Sequence, residues 1–197
     1  MLKGTAMRQR GFSLIELVVT LAVLGLLVAL GMPSMSDWMR SVRIRNAAES
    51  AQNGLGKARM EAMRKNQVVT YWMVSDRTSA CALSSTAASW VVSLDDPSGH
   101  CADSASTTVA PRIVEAYGAS DGAGDVVVTV NGGTAATSVG FNGFGQVVSP
   151  TTSIATIDLT NATAGSRALR VTVSPGGAIR MCDPSPTIPA GDSRKCP

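Results

Sequence analysis

Few residues of this chain have the types and spacing that catalysis requires. His100, beside Cys101, is the only histidine in 197 residues, so neither a histidine-based catalytic triad nor a multi-histidine metal site can form. Gly140, Gly143 and Gly145 are not spaced as in GxGxxG, and a strand is predicted to follow them. We therefore predict no catalytic residue, no cofactor and no enzymatic activity.

Two pairs of aspartates carry oxygen atoms of the kind that calcium prefers as ligands. Asp95 and Asp96 precede Pro97, and Asp121 and Asp125 lie among glycines. Aspartate, proline and glycine are also the residues that turns favour. Turn composition explains these side chains without a ligand, so the sequence predicts no metal site.

The carboxyl-terminal part contains the residues best suited to binding phosphate. Arg180, Arg194 and Lys195 supply cations that could contact the backbone of DNA. If Cys182 pairs with Cys196, Arg194 and Lys195 return toward Arg180 and form a compact basic patch. The alternative is a solvated basic face, and no interleaved aromatic residue is available to stack on single strands.

Four cysteines allow three disulfide connectivities, and the sequence does not choose among them. They fall as two local pairs, Cys81 with Cys101 and Cys182 with Cys196, and we predict that these pairs are bridged. Disulfides form in oxidising compartments, so a secreted or periplasmic location of the carboxyl-terminal part would permit both bridges.

The most apolar stretch of the chain lies near its start. Phe12 to Met32 is 21 residues long and is interrupted mainly by Ser13 and Glu16, which is enough helix to cross about 30 Å of hydrocarbon. The preceding residues are basic and have no acidic neighbour, so positions 1–11 should stay in the cytoplasm. We predict a single membrane-spanning helix at 12–33, with everything after it outside.

The same basic residues account for the formal net charge of +3. Lys3, Arg8 and Arg10 are three of the 17 basic residues, and the other 14 equal the number of acidic residues. An ordinary signal peptide has its cleavage site after the apolar run. Here the plausible cut precedes that run, between Gly11 and Phe12, and it would keep the apolar helix on the mature chain.

Glu16 is an ionisable group inside an apolar segment, which costs several kcal/mol unless the carboxylate is paired. No lysine or arginine lies between Phe12 and Arg40. The partner must therefore come from another chain or from the new α-amino group of Phe12. We predict that Glu16 sets the register between neighbouring subunits, and the alternative is a carboxylate that reaches out to the membrane interface.

The rest of the chain predicts an α+β fold. Apolar residues at spacings of three and four from 34 to 66 predict an amphipathic continuation of the helix, ending near Asn66. Short β-branched runs separated by turn residues then predict a β-rich head at 67–197 that packs on this helix. The predicted strands are Val68 to Val74, Trp90 to Leu94, Arg112 to Tyr117, Val126 to Val130, Ser138 to Phe141, Gln146 to Ser149, Ala155 to Leu159, Ala168 to Ser174 and Ala178 to Met181.

The segment Gly11-Phe12-Ser13-Leu14-Ile15-Glu16-Leu17 resembles the type III signal of type IV prepilins and type II secretion pseudopilins. The resemblance implies that prepilin peptidase removes residues 1–11, cleaving between Gly11 and Phe12, and that Phe12 is N-methylated. It also places the acidic residue of the signal at Glu16, the fifth position of the mature chain.

The head resembles that of the FimT/FimU/GspH group of minor pilins and pseudopilins. The likeness lies in the order of its elements, including Trp90-Val91-Val92, Val139-Gly140-Phe141 and the last strand, Gly177-Ala178-Ile179-Arg180. It implies a pilin-like fold and assembly with other minor pilins and a major pilin, or with pseudopilins, to prime or cap a filament. The chain would start in the bacterial inner membrane, with its head in the periplasm, and then enter a pilus or pseudopilus.

Two other functions stay open at this point. One is a pseudopilin of type II secretion. The other is a minor pilin that binds DNA for uptake. Related DNA-capturing proteins carry Gly-Arg-x-Arg at the last strand, where this chain has Gly177-Ala178-Ile179-Arg180 and lacks one arginine.

Overall fold

A computed structural model describes residues 12–149, 151–162 and 167–196, except for the side chains at 29–34. The processing residue Gly11 and the leader at 1–11 lie outside the described residues. The chain forms two compact units, of which the first ends at Trp38 and the second begins at Met39. Helix α1 (Leu14–Lys65) belongs to both units, and each is described separately below.

In the first unit, α1 begins with a side-chain cap. Ser13 stands before the first helical residue, and its Oγ accepts a hydrogen bond from the backbone N–H of Glu16 at 3.2 Å. The Ser13 carbonyl also accepts the first helical bond, from Leu17 N–H at 3.2 Å. A serine at this position satisfies one of the N–H groups that a helix start leaves without a partner.

In the second unit, α1 buries a face of small residues. Its fully buried residues include Ile44 and Leu55 and several alanines between and after them, among them Ala48, Ala58 and Ala62. Small side chains let other elements approach the helix closely. One continuous core therefore contains residues of α1 and of the strands that follow.

The end of α1 has the geometry of a Schellman motif. Asn66 has a positive φ of 49°, and the N–H of Gln67 donates to the carbonyl of Ala62 at 3.3 Å. This 6→1 bond is the mark of the motif, and asparagine tolerates the left-handed conformation that it needs. The helix therefore ends at Lys65, next to the predicted end at Asn66.

The described residues form nine strands in two antiparallel sheets. The first sheet has the order β3-β2-β1-β5-β6, and the second has the order β4-β7-β8-β9. Every predicted strand is present, with ends that differ from the prediction by at most two residues, and the α+β class is confirmed. The bounds are β1 (Val69–Val74), β2 (Ser89–Ser93), β3 (Ile113–Tyr117), β4 (Val126–Val130), β5 (Ser138–Phe141), β6 (Val147–Val148), β7 (Thr156–Asn161), β8 (Leu169–Val173) and β9 (Ile179–Cys182).

Trp90 of β2 joins the first sheet to the helix. A Cβ atom at Gly54 of α1 would lie 2.9 Å from the Trp90 ring, so only glycine fits beneath it. The indole Nε1 of Trp90 donates to Ser50 Oγ on the same helix at 3.0 Å. Tyr71 and Tyr117 flank the ring, with centroids 5.6 and 5.9 Å away. The close approach of the ring to Gly54 and the satisfied indole N–H hold the helix against this sheet.

The second sheet shows the alternation of a half-buried sheet. Val128, Leu159 and Val171 point into the core, whereas the paired residues Asp158 and Arg170 lie on the other face. The Arg170 guanidinium donates two hydrogen bonds to the Asp158 carboxylate, at 2.6 and 3.0 Å. This cross-strand pair fixes the register of β7 and β8 on the polar side.

Two local disulfides are present. Cys81 is bonded to Cys101, and both are buried in a small cluster with Val74, Val91 and Ile113. The other bridge joins the end of β9 to the carboxyl-terminal tail, through Cys182 and Cys196. The first bridge therefore joins two segments without regular secondary structure, and the second fastens the tail to a strand.

Two turns pack against each other where the sheets meet α1. Val147 N–H, at the start of β6, donates to the Pro175 carbonyl in the β8–β9 turn at 3.0 Å. Gly177 of the same turn has a φ of +80°, and a Cβ atom there would collide with the carbonyl oxygen of Gly145. Glycine is required at 177 both by its backbone conformation and by this close approach.

We expect Gly177→Ala to lower the free energy of unfolding by about 2 to 4 kcal/mol, because it combines left-handed strain with a backbone clash. Urea unfolding of the full chain in detergent, followed by fluorescence of Trp72 and Trp90, measures the effect. Gly124→Ala is the matched control, since a Cβ atom at Gly124 meets nothing within 4 Å. Equal stability of the two variants would contradict this account of the turn contact.

Candidate assembly and binding surfaces

In the first unit, α1 exposes apolar side chains on every side. Residues that follow each other in sequence point in different directions around a helix. Both members of such pairs are more than half exposed here, as in Leu14 with Ile15 and Leu26 with Leu27. A helix that is apolar all round is stable only inside an apolar environment. The large exposed apolar residues described in this unit are Phe12, Leu14, Ile15, Leu17, Val18, Val19, Leu21, Val23, Leu24, Leu26, Leu27, Val28, Met35 and Trp38.

Within the described part of the chain, no helix is both long enough and apolar enough to cross a membrane. The predicted membrane segment at 12–33 includes positions 29–33, whose side chains lie outside the description. The segment therefore stays a prediction.

Glu16 lies in the first turn of α1 and forms no ion pair with another described residue. A carboxylate at this position interacts favourably with the helix dipole, by about 0.3 to 1 kcal/mol at an exposed site. Ser13 and Glu16 also have the spacing of a capping box. The sequence analysis missed this local role, although the Ser-x-x-Glu pattern signals it.

The carboxyl-terminal tail folds back beside the last strand. The backbone N–H of Asp183 donates to the Arg194 carbonyl at 2.7 Å, and Cys196 N–H donates to the Asp183 carbonyl at 3.1 Å. Together with the Cys182–Cys196 bridge, these bonds place Arg194 and Lys195 next to the residue that follows β9. The tail thus returns to the end of the strand that carries Arg180, and the compact basic patch stays a prediction.

The predicted DNA-binding residues differ in their electrostatic surroundings. Arg180 is exposed on β9, and no described carboxylate pairs with it. Arg194 instead binds the Asp192 carboxylate, with its Nη2 at 2.6 Å from Oδ2 and its Nε at 3.1 Å from Oδ1. Hydrogen bonds from the side chain and backbone of Arg194 lower the pKa of Asp192 to about 2. Arg194 is thus neutralised locally, and Lys195 is half-buried.

A cavity of about 290 Å³ between α1 and the second sheet brings an arginine of the helix beside two arginines of the carboxyl-terminal part. Arg45 of α1 and Arg167, which precedes β8, line it together with Arg194. Arg167 forms an ion pair with the buried Asp183, and Glu49 also lines the cavity. Tertiary folding creates this cluster from three distant segments, so no local sequence signal could have found it.

The aspartates considered as calcium ligands are engaged by the protein itself. Arg112 donates to both oxygens of Asp95, at 2.8 and 2.6 Å, and Arg43 pairs with Asp125. Asp96 Oδ1 accepts the N–H of Ser98 at 2.9 Å and so stabilises a turn. Among the described residues, no group of three or more histidine, cysteine or acidic side chains could hold a metal ion.

The histidine and the glycines considered in the sequence analysis also contact neighbouring side chains. His100 is exposed, and its Nδ1 lies 3.0 Å from Asp103 Oδ2. A Cβ atom at Gly140 would approach Thr70 Oγ1 to 3.2 Å, and one at Gly143 would collide with the Asn66 side chain. These two glycines allow close packing and do not form a phosphate-binding loop.

Comparison with known proteins gives two family matches. Residues 47–177 match the family described as Type II transport protein GspH, and residues 6–32 match the prokaryotic N-terminal methylation motif. No curated protein matches. Two crystal forms of the type IV minor pilin FimU of Pseudomonas aeruginosa are 15% and 16% identical, with TM-scores of 0.44 and 0.47. Each comparison covers 70% of this chain, and 90% and 87% of the FimU chains.

We expect Arg194→Gln to return the pKa of Asp192 from about 2 toward its usual value near 3.8, because the neutral amide no longer favours the carboxylate. The depressed pKa means that the pair stabilises the folded tail fully above about pH 4 and loses this effect as the pH falls through about 2. Carbon-13 NMR titration of the side-chain carboxylates of the full chain measures it. Arg170→Gln, which removes the partner of Asp158, should leave the Asp192 titration unchanged.

Proposed function

Because this chain belongs to the GspH family of type II transport proteins, we propose that it is a minor pilin that is assembled into a type IV pilus. It acts as a structural subunit that joins other minor pilins and the major pilin and primes or caps the filament. The observation that carries the proposal is the exposed apolar part of α1 at 14–28, for which lipid and then sister helices supply the surroundings.

Processing by prepilin peptidase is the first step in this proposal. The enzyme cleaves between Gly11 and Phe12 and methylates the new amino group of Phe12. The methylation-motif match at 6–32 supports this step, because it contains the cleavage site together with Glu16. Removal of the basic leader leaves an apolar helix whose first charged side chain is Glu16.

Localisation follows from the same segment. Residues 12–33 anchor the unassembled subunit in the bacterial inner membrane, with 34–66 and the head at 67–197 in the periplasm. The two disulfides support an oxidising location for the head. On assembly the subunit leaves the bilayer, and the helix exchanges lipid contacts for contacts with neighbouring helices.

Glu16 has a specific role in assembly. Its carboxylate pairs with the α-amino group of Phe12 on an adjacent subunit and sets the axial register of the two helices. Two observations support this role. No basic residue lies between Phe12 and Arg40, and Glu16 forms no ion pair with another described residue. An unpaired charge in an apolar interface is costly, so the pairing discriminates against other registers.

Glu16→Gln should reduce entry of the chain into filaments at least tenfold, because the amide keeps the size of the side chain but cannot form the ion pair. Quantitative immunoblotting of sheared filaments against the membrane fraction measures the ratio. Thr20→Val is the control, since it removes a polar group from the same helix without changing charge. Wild-type incorporation of Glu16→Gln would refute the register role.

A type II secretion pseudopilin is the main alternative to this function. The description of the matched family favours it, and a pseudopilus uses the same processing and helix packing. Incorporation into surface pili or into a secretion pseudopilus in cells that contain both systems separates the two functions.

DNA binding is a second candidate function, because Arg180 is exposed with no described carboxylate beside it. If phosphate contacts occur there, Arg180→Ala should make the slope of log affinity against log salt concentration less negative by about 1. Alanine at both Arg194 and Lys195 should have a smaller effect, since Asp192 neutralises Arg194.

Fluorescence anisotropy with duplex DNA, at several salt concentrations and with the full chain in detergent, tests this candidate. Arg77→Ala, at another exposed arginine, controls for a general change in charge. Absence of binding at low salt would remove DNA binding from consideration.

A further inference from the structure

The cavity between α1 and the second sheet is a feature that the proposed function leaves unused. Its volume is about 290 Å³, which is at the lower end of the range for small-molecule sites. Three separate parts of the chain supply its cations, namely Arg45 of α1, Arg167 before β8 and Arg194 of the tail. Guanidinium groups that share one small cavity repel each other unless negative charge offsets them.

Asp183 positions two of these arginines. It follows β9 and is 3% exposed. Its Oδ2 accepts a hydrogen bond from Arg167 Nε, and its Oδ1 accepts the N–H of Ser185 at 2.9 Å. The backbone N–H of Asp183 donates to the Arg194 carbonyl at 2.7 Å. One buried residue thus fixes both the side chain of Arg167 and the backbone of Arg194, so a ligand there would meet an ordered site.

The three guanidinium groups keep hydrogen-bond donors for a ligand. Arg167 uses only Nε in its bond to Asp183, so its two terminal nitrogens have no described partner. Arg194 binds Asp192 through Nε and Nη2, and its Nη1 likewise has no described partner. Arg45 is exposed and forms no ion pair with a described carboxylate. The five N–H donors of a guanidinium are therefore only partly used at each position.

The walls of the cavity carry more positive than negative charge. Glu49 is the one acidic side chain among the described residues that line it, against three arginines. Asp183 and Asp192 are not part of this described lining. Leu169 and Met181 supply an apolar wall, and a wall of low dielectric constant strengthens the field of the charges beside it.

The number of guanidinium groups indicates the shape of the anion. A planar carboxylate presents two oxygen atoms, and a single guanidinium fork can bind both of them. A phosphate group presents its oxygen atoms in a tetrahedral arrangement, and arginine binds them with the same bidentate geometry. Three guanidinium groups at one small cavity therefore match a phosphate better than a carboxylate.

We propose that this cavity binds a phosphate group, supplied by inorganic phosphate or by a small phosphate monoester. The terminal nitrogens of Arg167 and Nη1 of Arg194 donate to its oxygen atoms, and Arg45 donates from the helix, so the bound phosphate links α1 to the tail. The site is separate from the exposed Arg180. Arg180 and Met181 are consecutive in β9, and their side chains therefore lie on opposite faces of the sheet. The inference goes beyond the proposed function and does not depend on filament assembly.

Isothermal titration calorimetry of the full chain in detergent tests the site, with sodium phosphate as the titrant at constant ionic strength. We expect saturable binding of one phosphate per chain. Arg45→Gln should weaken the affinity about fivefold, because a charged donor is lost. It should leave the melting temperature without phosphate unchanged, since Arg45 has no described partner to lose. Arg180→Gln is the matched control and should bind phosphate as the wild type does.

Glu49→Gln tests the sign of the charge effect. It removes the acidic side chain from the described lining, so the affinity for phosphate should rise about threefold. Because Glu49 forms no described ion pair, this variant should also keep its fold. Unchanged affinity in both Arg45→Gln and Glu49→Gln, or equal weakening by Arg180→Gln, would overturn the assignment of the site.

Competing anions identify the ligand. Sulfate is also tetrahedral and should compete with phosphate, whereas acetate at the same concentration should not. Glycerol 3-phosphate distinguishes the two sources of the phosphate group. Tighter binding than that of inorganic phosphate indicates a monoester whose carbon atoms contact Leu169 and Met181, and equal or weaker binding indicates free phosphate. The absence of saturable phosphate binding, or equal competition by acetate, would overturn the proposal and leave the proposed function intact.

Discussion

Small side chains along the second half of α1 allow residues of two sheets to share one core with a single helix. Ala48, Ala58 and Ala62 keep this face shallow, and Gly54 lets the Trp90 ring lie directly on the backbone. The head therefore buries its own apolar residues. The part of α1 at 14–28 is different, because its large apolar side chains are exposed. The second half of α1 is thus covered by the head, whereas the apolar side chains of its first half need an apolar environment from other molecules. This difference is the physical basis for assembly of the subunit.

Local sequence signals predicted the elements well, because each strand is a β-branched run between turn residues and the helix ends at a residue that tolerates a positive φ. They did not predict that β1 lies between β2 and β5. Alternation tells which face of a strand is buried, but it does not identify the neighbouring strand. The contact between Gly145 and Gly177 depends on that long-range pairing.

The candidate sites show the same limit. Local pairing of Cys182 with Cys196 was predicted as one of three connectivities that the sequence allows, and the returning tail was predicted only on the condition of that pairing. The neutralisation of Arg194 was not, because an Asp-x-Arg pair becomes an ion pair only when a turn brings the two side chains together. The count of charges along the sequence therefore overstated the positive charge that Arg194 contributes to the basic patch. The role predicted for Glu16 rests on sequence alone, because it depends on the absence of any lysine or arginine between Phe12 and Arg40, and it stays a prediction.

The central claim is that the chain is processed at Gly11 and becomes part of a filament. The most direct test is intact-mass spectrometry of the chain recovered from sheared filaments, under non-reducing conditions. The account predicts the mass of residues 12–197 with one added methyl group and two disulfides. A chain that retains residues 1–11, or that is found in membranes but never in filaments, would contradict it.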